Sequence, residues 1–328
     1  MDTVFLQKHT QKLSLKDGQL ILKENDKVLE TYPICAIETV SVCGNAQITT
    51  QAIKECLKEG VRINYFNAYG KYLGRIEPGF PKNVIRRLTQ YKIFWSDELR
   101  LEWAKALVSA KIQGEIVEIR RLNEQNISFP YRETKNELRD LKERVKTAEN
   151  LSILLGIEGM AARSYFSIFP FVLPHDIPWN GRSYHPAKDG INEILSIIYG
   201  ITAQQLRMKT EEFSLDPHCS MLHEPGYGRG GLAYDLLEIF RAVFCDHTAL
   251  RLIRKDKEIR RAAGIQDLTD FSENIRNTVC RYTQEAMQKK YRLQKSFPDR
   301  LFAEACRLTA SGITSGTIPD FEKLIPER

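Results

Sequence analysis

The stretch EPGFPKN, residues 77–83, divides the sequence into two parts of different character. It holds Pro78, Gly79 and Pro81, and this combination interrupts both helices and strands. Before it, short segments rich in β-branched residues predict strands, whereas after it apolar residues recur at helical spacing. We therefore predict an α+β protein with a small β domain at 1–76, a linker at 77–86 and a larger all-α domain at 87–328.

The first part predicts a β-sandwich-like domain with one short helix. The β-branched and aromatic runs predict strands at 13–15, 20–22, 37–42, 62–66 and 72–76. Asp17-Gly18 separates the first two runs and is a strong signal for a tight hairpin turn. A helix is predicted at 50–58, because Thr49 or Thr50 can cap its N-terminus and Gly60 can follow its C-terminus.

The second part predicts helices throughout. One apolar stripe consists of Leu99, Trp103, Ala106, Ala110 and Val117. A second stripe, from Leu138 to Leu155, predicts one further helix, and a loop at 126–131 separates the two. Residues 169–187 are rich in proline and predict an irregular crossing segment, after which helical patterning resumes at Asn192.

The composition is that of a globular protein with a mildly basic balance. Charged residues make up 27% of the 328 residues, and the formal net charge is +6. Basic residues concentrate in two stretches, 251–261 and 276–295. These stretches suit a phosphate backbone, or they are two solvated helix faces, and charge alone does not separate the two interpretations.

No segment predicts a membrane location or export. No apolar run reaches the roughly 18 residues that a membrane span needs, and residues 1–15 lack the apolar core of a signal peptide. We therefore expect a cytoplasmic protein with no membrane partner. The seven cysteines form no C-x-x-C pair, which favours free thiols over a disulfide framework or a zinc ribbon.

Asp235 and Glu238 stand three residues apart, so a helix places both acids on one face. The residues around them, Leu236-Leu237 and Ile239-Phe240, are all apolar and predict a buried helix. Buried carboxylates need a partner that offsets their loss of hydration. A metal ion is one such partner, and a salt bridge to Arg163 or Arg241 is the structural alternative.

Glu158 and His223 extend this set. Glu158 is followed by the small residues Gly159, Ala161 and Ala162, which allow another helix or a substrate backbone to come close to the carboxylate. His223 lies in a loop, and a neutral imidazole is a good metal ligand. Each residue alone is more often a surface side chain. Together, carboxylates and one imidazole favour Mg²⁺ or Mn²⁺ over structural zinc, and such an ion suits phosphoryl transfer.

Three blocks in this region resemble the signature of the CRISPR-associated integrase family. They are EGMAARSYF (158–166), LHE (222–224) and LAYDLLEIFR (232–241), in the family's order and at its approximate separations. The block from Asp189 to Tyr199 and the N-terminal pattern up to Gly70 agree as well. The resemblance thus spans nearly the whole chain.

The resemblance implies roles for individual residues. Glu158, His223 and Glu238 are expected to hold Mg²⁺ or Mn²⁺. Asp235 is expected to join them in catalysis by orienting the histidine, binding a second ion or contacting DNA. Weaker expectations for contact with DNA fall on Arg87, Arg163, Tyr165, Asn192, Ser196, Arg229 and Arg241.

Four positions depart from the family's pattern. Ser214 and Ser220 stand where glycine is common, Gly231 stands where serine is common, and Ala242 stands where a proline often follows. None of them is an expected metal ligand, so the departures concern the conformation of the loop before the last block rather than the chemistry.

The resemblance also implies an activity and partners. Members of the family are metal-dependent DNA integrases and endonucleases, which insert short fragments (spacers) into a CRISPR array by attack of a 3′-hydroxyl on a repeat-boundary phosphodiester. We expect a homodimer formed through the β domains, and a small ferredoxin-like partner protein that bridges two dimers. Two other interpretations stay open: a catalytically silent DNA-binding assembly protein, and a metal-dependent hydrolase of a non-nucleic-acid substrate.

Overall fold

The computed structural model describes residues 2–6, 8–67, 72–77, 83–125, 127–183, 186–224, 231–288 and 297–325. The chain separates into two compact units, 1–82 and 83–328. This boundary falls inside the predicted linker, and the first helix of the second unit already begins at Val84. Asn83 caps that helix, because its side chain accepts a hydrogen bond from the Arg86 N–H. Helical residues 84–86 therefore belong to the second unit and not to a linker.

Over its described residues, the first unit contains two four-stranded sheets and one α-helix. The elements are β1 (Asp2–Leu6), β2 (Gln11–Lys16), β3 (Gln19–Glu24), β4 (Lys27–Pro33), β5 (Ile37–Cys43), β6 (Gln47–Ile48), α1 (Thr50–Lys58), β7 (Arg62–Phe66) and β8 (Tyr72–Ile76). One sheet has the order β1-β5-β7-β8 and the other β4-β3-β2-β6. Apolar side chains of both sheets, such as Val40 and Leu13, share one core. The predicted sandwich-like β domain with one short helix is confirmed.

Local chemistry explains the elements that the sequence predicts well. Asp17 and Gly18 adopt φ of 50° and 72°, the left-handed conformation of a two-residue hairpin turn. The side chain of Thr49 caps α1 by accepting a hydrogen bond from the Ala52 N–H. The prediction omitted β1, β4 and the two-residue strand β6. Strand β4 is exposed along most of its length, so it lacks the apolar alternation that marks a strand.

The second unit is helical. Its α-helices are α2 (Val84–Phe94), α3 (Asp97–Glu124), α4 (Tyr131–Lys146), α5 (Leu151–Phe166), α6 (Phe169–Val172), α7 (Gly190–Glu212), α8 (Gly231–Phe240), α9 (His247–Lys255), α10 (Lys257–Ala263), α11 (Glu273–Gln288) and α12 (Phe297–Ser315). The described helices include none that is long and apolar enough to cross a membrane. The predicted helical domain is confirmed.

Helix α3 runs through the middle of this unit and packs against α4, α5 and α8. The middle of this helix, residues 107–119, is buried on most of its sides, so polar residues there also lie in the interior. Lys111, Glu115 and Glu118 of α3 are all buried. The fold therefore places three charged side chains of one helix inside the domain.

Two features of the helical unit differ from the prediction. The stripe from Leu138 to Leu155 belongs to two helices, because Asn150 interrupts it in an extended conformation and caps α5 through the Ile153 N–H. The stripe continues across the break since both helices pack on the same core. The second feature is a π-helical segment, Arg241–Asp246, which joins α8 to α9. Such segments add one residue per turn and occur often at functional sites.

Candidate active site

Glu158 of α5 and Glu238 of α8 meet at the side chain of Lys111 on α3. The Lys111 Nζ lies 2.8 Å from Glu238 Oε2 and also pairs with Glu158 Oε1. Burial lowers the pKa of Lys111, but the two carboxylates outweigh burial and raise this pKa overall. Lys111 and Glu238 are fully enclosed, whereas 23% of the Glu158 side chain is exposed. Two of the three predicted metal ligands thus share one ammonium group.

Glu238 remains an anion inside the protein. Burial favours its protonated form, but Arg241, Lys111 and His223 overcome that effect and lower the pKa of Glu238 to about 2. The Arg241 guanidinium lies one turn further along the chain, 2.8 Å from Glu238 Oε1. The sequence-based alternative of a salt bridge to Arg241 is therefore present, alongside a second bridge to Lys111.

Asp235 is fully buried and has a different role from Glu238. Its Oδ2 accepts hydrogen bonds from the backbone N–H groups of Met221 (2.5 Å) and Leu222 (3.1 Å). Its Oδ1 accepts from the His223 N–H (3.1 Å) and lies 2.7 Å from His223 Nδ1. Because a carboxylate only accepts, the proton of the imidazole belongs on Nδ1, and Nε2 is left as the ligand atom. Of the three predicted roles for Asp235, this geometry favours orienting the histidine.

Residues 220–224, which we call the His223 loop, are fixed from several sides. The buried guanidinium of Arg100 donates to the carbonyl groups of Met221 and His223, each at 3.1 Å. The Ser220 hydroxyl donates to the same His223 carbonyl at 2.5 Å. Hydrogen bonds therefore fix both the backbone and the imidazole ring of His223.

The departures from the family's pattern explain one another. A Cβ at Gly231 would lie 2.7 Å from the Cβ of Ser220, closer than side-chain carbons come in proteins. Serine at 220 thus requires glycine at 231, which reverses the arrangement common in the family. Ser214 adopts a φ of 59°, a left-handed conformation that glycine adopts more easily.

The free side of the histidine ring faces Glu238. His223 Nε2 lies 3.7 Å from Glu238 Oε1, and 39% of the His223 side chain is exposed. Burial lowers the pKa of His223, but the carboxylates of Asp235 and Glu238 more than offset this and raise it. The structure therefore brings Glu158, His223 and Glu238 together, with Asp235 directly behind the histidine.

Two more buried acids lie near this group. Glu115, one turn after Lys111 on α3, has an Oε2 atom without a hydrogen-bond partner in the described parts of the chain, and burial raises its pKa to about 8. Asp246, at the end of the π-helical segment, accepts a 2.5 Å hydrogen bond from the Tyr199 hydroxyl, and burial raises its pKa to about 6. The charged cluster thus extends well beyond the predicted ligands.

A cleft of about 1070 Å³ opens above these residues. Glu158, His223 and Glu238 line it together with the cationic side chains of Arg163, Arg182 and Arg276. Phe166 and Trp179 stack on one wall with their ring centroids 5.7 Å apart. Arginine side chains are suited to phosphate oxygens, so the cleft offers both the acids and the cations that a phosphodiester substrate needs.

The residues predicted to contact DNA have different locations. Arg163, Tyr165, Ser196 and Arg241 line the cleft, Asn192 and Arg87 do not, and Arg229 lies outside the described residues. Tyr165 and Asn192 are buried, so they support the cleft from beneath rather than reach a duplex. Asn192 donates to Gly181 O and Asp189, and its Oδ1 accepts from Arg182. These contacts fix the segment before α7.

Sequence reasoning missed Lys111, Glu115, Arg182 and Asp246. A signal existed for the first two, because a lysine and a glutamate one turn apart lie among apolar residues of α3. Arg182 and Asp246 gave no such signal. Both reach Tyr199 through the tertiary fold, Arg182 by stacking at 5.1 Å from the ring centroid.

The donor set fits Mg²⁺ or Mn²⁺ in kind, since these ions prefer carboxylate oxygens and accept an imidazole. Glu238 Oε2 is buried and has no hydrogen-bond partner in the described parts of the chain, although the Lys111 Nζ lies 2.8 Å away as an ion pair. Within the residues that the structure describes, no three His, Cys, Asp or Glu side chains stand in metal-binding geometry. The Lys111 ammonium lies between two of the three predicted donors.

Comparison with known proteins places this site in a family. The sequence profile of the family described as "CRISPR associated protein Cas1" matches residues 4–300. The chain belongs to the Cas1 family. The "CRISPR-associated endonuclease Cas1 4" of Methanospirillum hungatei JF-1 is 31% identical over 255 residues, which are 77% of this chain and 71% of that protein.

Solved structures share the Cas1 fold. A "Casposase bound to integration product" has a TM-score of 0.70 at 22% identity and covers 100% of this chain and 94% of its own. A "Partial Cas6-RT-Cas1--Cas2 complex" has a TM-score of 0.75 at 19% identity and covers 98% of both chains. At these identities the likeness establishes the architecture of a β unit followed by a helical unit.

Proposed function

We propose that this Cas1 protein is a metal-dependent DNA integrase and endonuclease of CRISPR adaptation. It joins the 3′-hydroxyl of a short DNA fragment to a phosphodiester at the boundary of a CRISPR repeat. The observation that carries the proposal is the meeting of Glu158, His223 and Glu238 at an arginine-lined cleft. The printed names of an endonuclease relative and of a casposase bound to an integration product support it.

The chemistry follows from the residues of the cleft. When held by Glu158, His223 and Glu238, Mg²⁺ or Mn²⁺ supplies polarisation of the scissile phosphate. Arg163, Arg182 and other cations of the cleft bind the phosphate oxygens and offset their charge. Asp235 keeps the proton of His223 on Nδ1. Because one phosphodiester replaces another, the joining step needs no energy cofactor and no covalent intermediate on the protein.

The partners we propose are DNA, a second copy of the chain and a small ferredoxin-like protein that bridges two such dimers. A similar solved structure is described as a Cas1–Cas2 complex, and another as a Cas1–DNA complex. Binding along the body of a duplex is expected to depend on phosphate contacts, and hence on salt. We propose that the protein acts in the cytoplasm, where its DNA substrates are found.

Strand transfer in vitro tests the proposal. The protein is incubated with a labelled duplex bearing 3′-hydroxyls and a supercoiled plasmid that contains a repeat, in Mn²⁺ or in EDTA. We expect label to enter the plasmid only with Mn²⁺, and to fail with Glu158→Gln and His223→Asn. Glu143→Gln is the matched control, because Glu143 is an exposed residue paired with Lys146 on α4.

The outcomes separate the alternatives. Joining that survives in Glu158→Gln and His223→Asn contradicts the ligand assignment. Binding of DNA without joining, even with the bridging partner added, favours the silent assembly protein. Failure to bind DNA at low salt favours a hydrolase of another substrate.

A further inference from the structure

Lys111 lies directly beside the position that a metal ion held by Glu158 and Glu238 would occupy. Its ammonium contacts carboxylate oxygens of both residues. Like charges at contact distance repel strongly in a buried site, because water screens them little. A divalent cation and the Lys111 ammonium therefore compete for the same two carboxylates.

Glu115 offers the ammonium a second partner. It stands four residues after Lys111 on α3, so both side chains share one face of the helix, and both line the cleft. Glu115 is 3% exposed, and its Oε2 has no hydrogen-bond partner in the described part of the chain. A buried carboxylate oxygen without a hydrogen-bond partner needs an explanation, because an unpaired polar atom in the interior lowers the stability of the folded protein.

Glu118, the next acid on the same helix, provides a contrast. It is equally buried, but its Oε1 pairs with His247 Nδ1 at 2.9 Å and its Oε2 lies 3.5 Å from Arg121. Of the two buried acids that follow Lys111 on α3, only Glu115 thus keeps an oxygen available to a new cation.

We propose that Lys111 has two positions: it bridges Glu158 and Glu238 until a divalent ion binds, and then moves to Glu115. This inference rests on the proposed function, since it requires a divalent ion at that site. Lys111 is then a positioning residue, which holds the two carboxylates close together against their mutual repulsion. Glu115 determines how easily the ammonium leaves them.

Mn²⁺ binding in the absence of DNA tests the proposal, with free Mn²⁺ measured by electron paramagnetic resonance. The full chain is compared with Glu115→Gln, Lys111→Met and the double variant. We expect Glu115→Gln to weaken Mn²⁺ binding on the order of 10-fold, the effect typical of groups behind metal ligands. In the Lys111→Met background the same change is expected to have no effect, because no ammonium needs a second partner.

Glu118→Gln is the matched control and should leave Mn²⁺ affinity within about twofold. If Glu115→Gln leaves Mn²⁺ affinity unchanged, the proposed movement of Lys111 to Glu115 is overturned, but the metal site is not. The same holds if Glu115→Gln lowers Mn²⁺ affinity equally in the unmodified protein and in Lys111→Met. Absence of Mn²⁺ binding to the unmodified protein overturns both. If Lys111→Met does not fold, a crystal structure of the unmodified protein with Mn²⁺ decides: Lys111 paired with Glu115 supports the proposal, and Lys111 still between Glu158 and Glu238 refutes it.

Discussion

The His223 loop and the Lys111 cluster (Lys111, Glu115, Glu158 and Glu238) adjoin each other in the cleft but are held by different forces. The loop is fixed by hydrogen bonds, among them three backbone N–H groups and the ring of His223 that point at Asp235. The cluster is held by attraction between opposite charges, the Lys111 ammonium and the carboxylates of Glu158 and Glu238. Asp235 anchors the loop and Glu238 belongs to the cluster, although the two residues are one helical turn apart on α8.

The difference concerns which carboxylate is able to change partner. Asp235 is saturated by directional contacts, so a new ligand would have to replace several of them at once. Glu238 contacts cations through attraction that depends little on direction, and another cation can take their place. We therefore expect substitutions in the Lys111 cluster to lower activity with little change in stability. Substitution of Asp235, behind the His223 loop, is expected to lower both.

The largest effect is expected for Glu158→Gln, which removes one charge from the cluster. DNA joining should fall by more than about 100-fold, because even residues behind metal ligands cost 10- to 100-fold. The free energy of unfolding should change by only about 1 kcal/mol, since the amide can still accept a hydrogen bond from Lys111. Plasmid joining and urea denaturation measure the two quantities. A large loss of stability would contradict the comparison.

Asp235→Asn should affect both quantities. The amide places N–H donors against the backbone N–H groups of the His223 loop, so we expect unfolding to become easier by about 2–4 kcal/mol. Joining should fall by about 10- to 100-fold, because the ring of His223 loses its orientation. Asp140→Asn, at an exposed site on α4, is the control. Full stability in Asp235→Asn would show that the loop does not depend on this carboxylate.

Asp246→Asn tests a buried acid that belongs to neither region. The folded pKa of Asp246 is raised from 3.8 to about 6, so the folded state retains this proton where the unfolded state has lost it. The group therefore favours folding below pH 3.8, and stability decreases by about 3 kcal/mol as the pH rises to 6. Denaturation at a series of pH values should show a decrease that is about 3 kcal/mol smaller in Asp246→Asn than in the parent protein, because other buried acids such as Glu115 titrate in both proteins. Parallel curves would contradict it.

The smallest expected effect is that of Gly231→Ala, which forces a methyl group against Ser220. We expect a loss of about 1–2 kcal/mol in the free energy of unfolding, typical of overpacking. The second change Ser220→Gly should restore part of it, although the hydrogen bond to the His223 carbonyl is lost. Thermal denaturation of the single and double variants measures the coupling, and strictly additive effects would argue against a direct clash.

Local signals made the fold and part of the site predictable. Asp235 and Glu238 could be placed on one buried helix because their spacing and apolar neighbours leave few alternatives. The turn at Asp17-Gly18 and the cap at Thr49 depend only on adjacent residues in the same way.

Features that depend on distant parts of the chain were not predictable. Lys111 reaches Glu158 and Glu238 only through the packing of α3 against α5 and α8. Leu99 was expected in a buried stripe but is 40% exposed, because it lies in the first turn of α3, away from the packed middle. Whether Glu158, His223 and Glu238 bind a metal stays a prediction, which Mn²⁺ binding can test.

The π-helical segment Arg241–Asp246 connects α8 to α9 through turns that are wider than those of an α-helix. Each residue of an α-helix advances about 100° around the axis, and the wider turns of this segment absorb part of that rotation. Because the wider turns accommodate an extra residue, removal of one residue here would return the segment to ordinary α-helical turns and would shift its own side chains rather than rotate α9. Such a deletion is therefore expected to redirect Arg241 and Asp246, which line the cleft, and to alter the site more than the packing of α9.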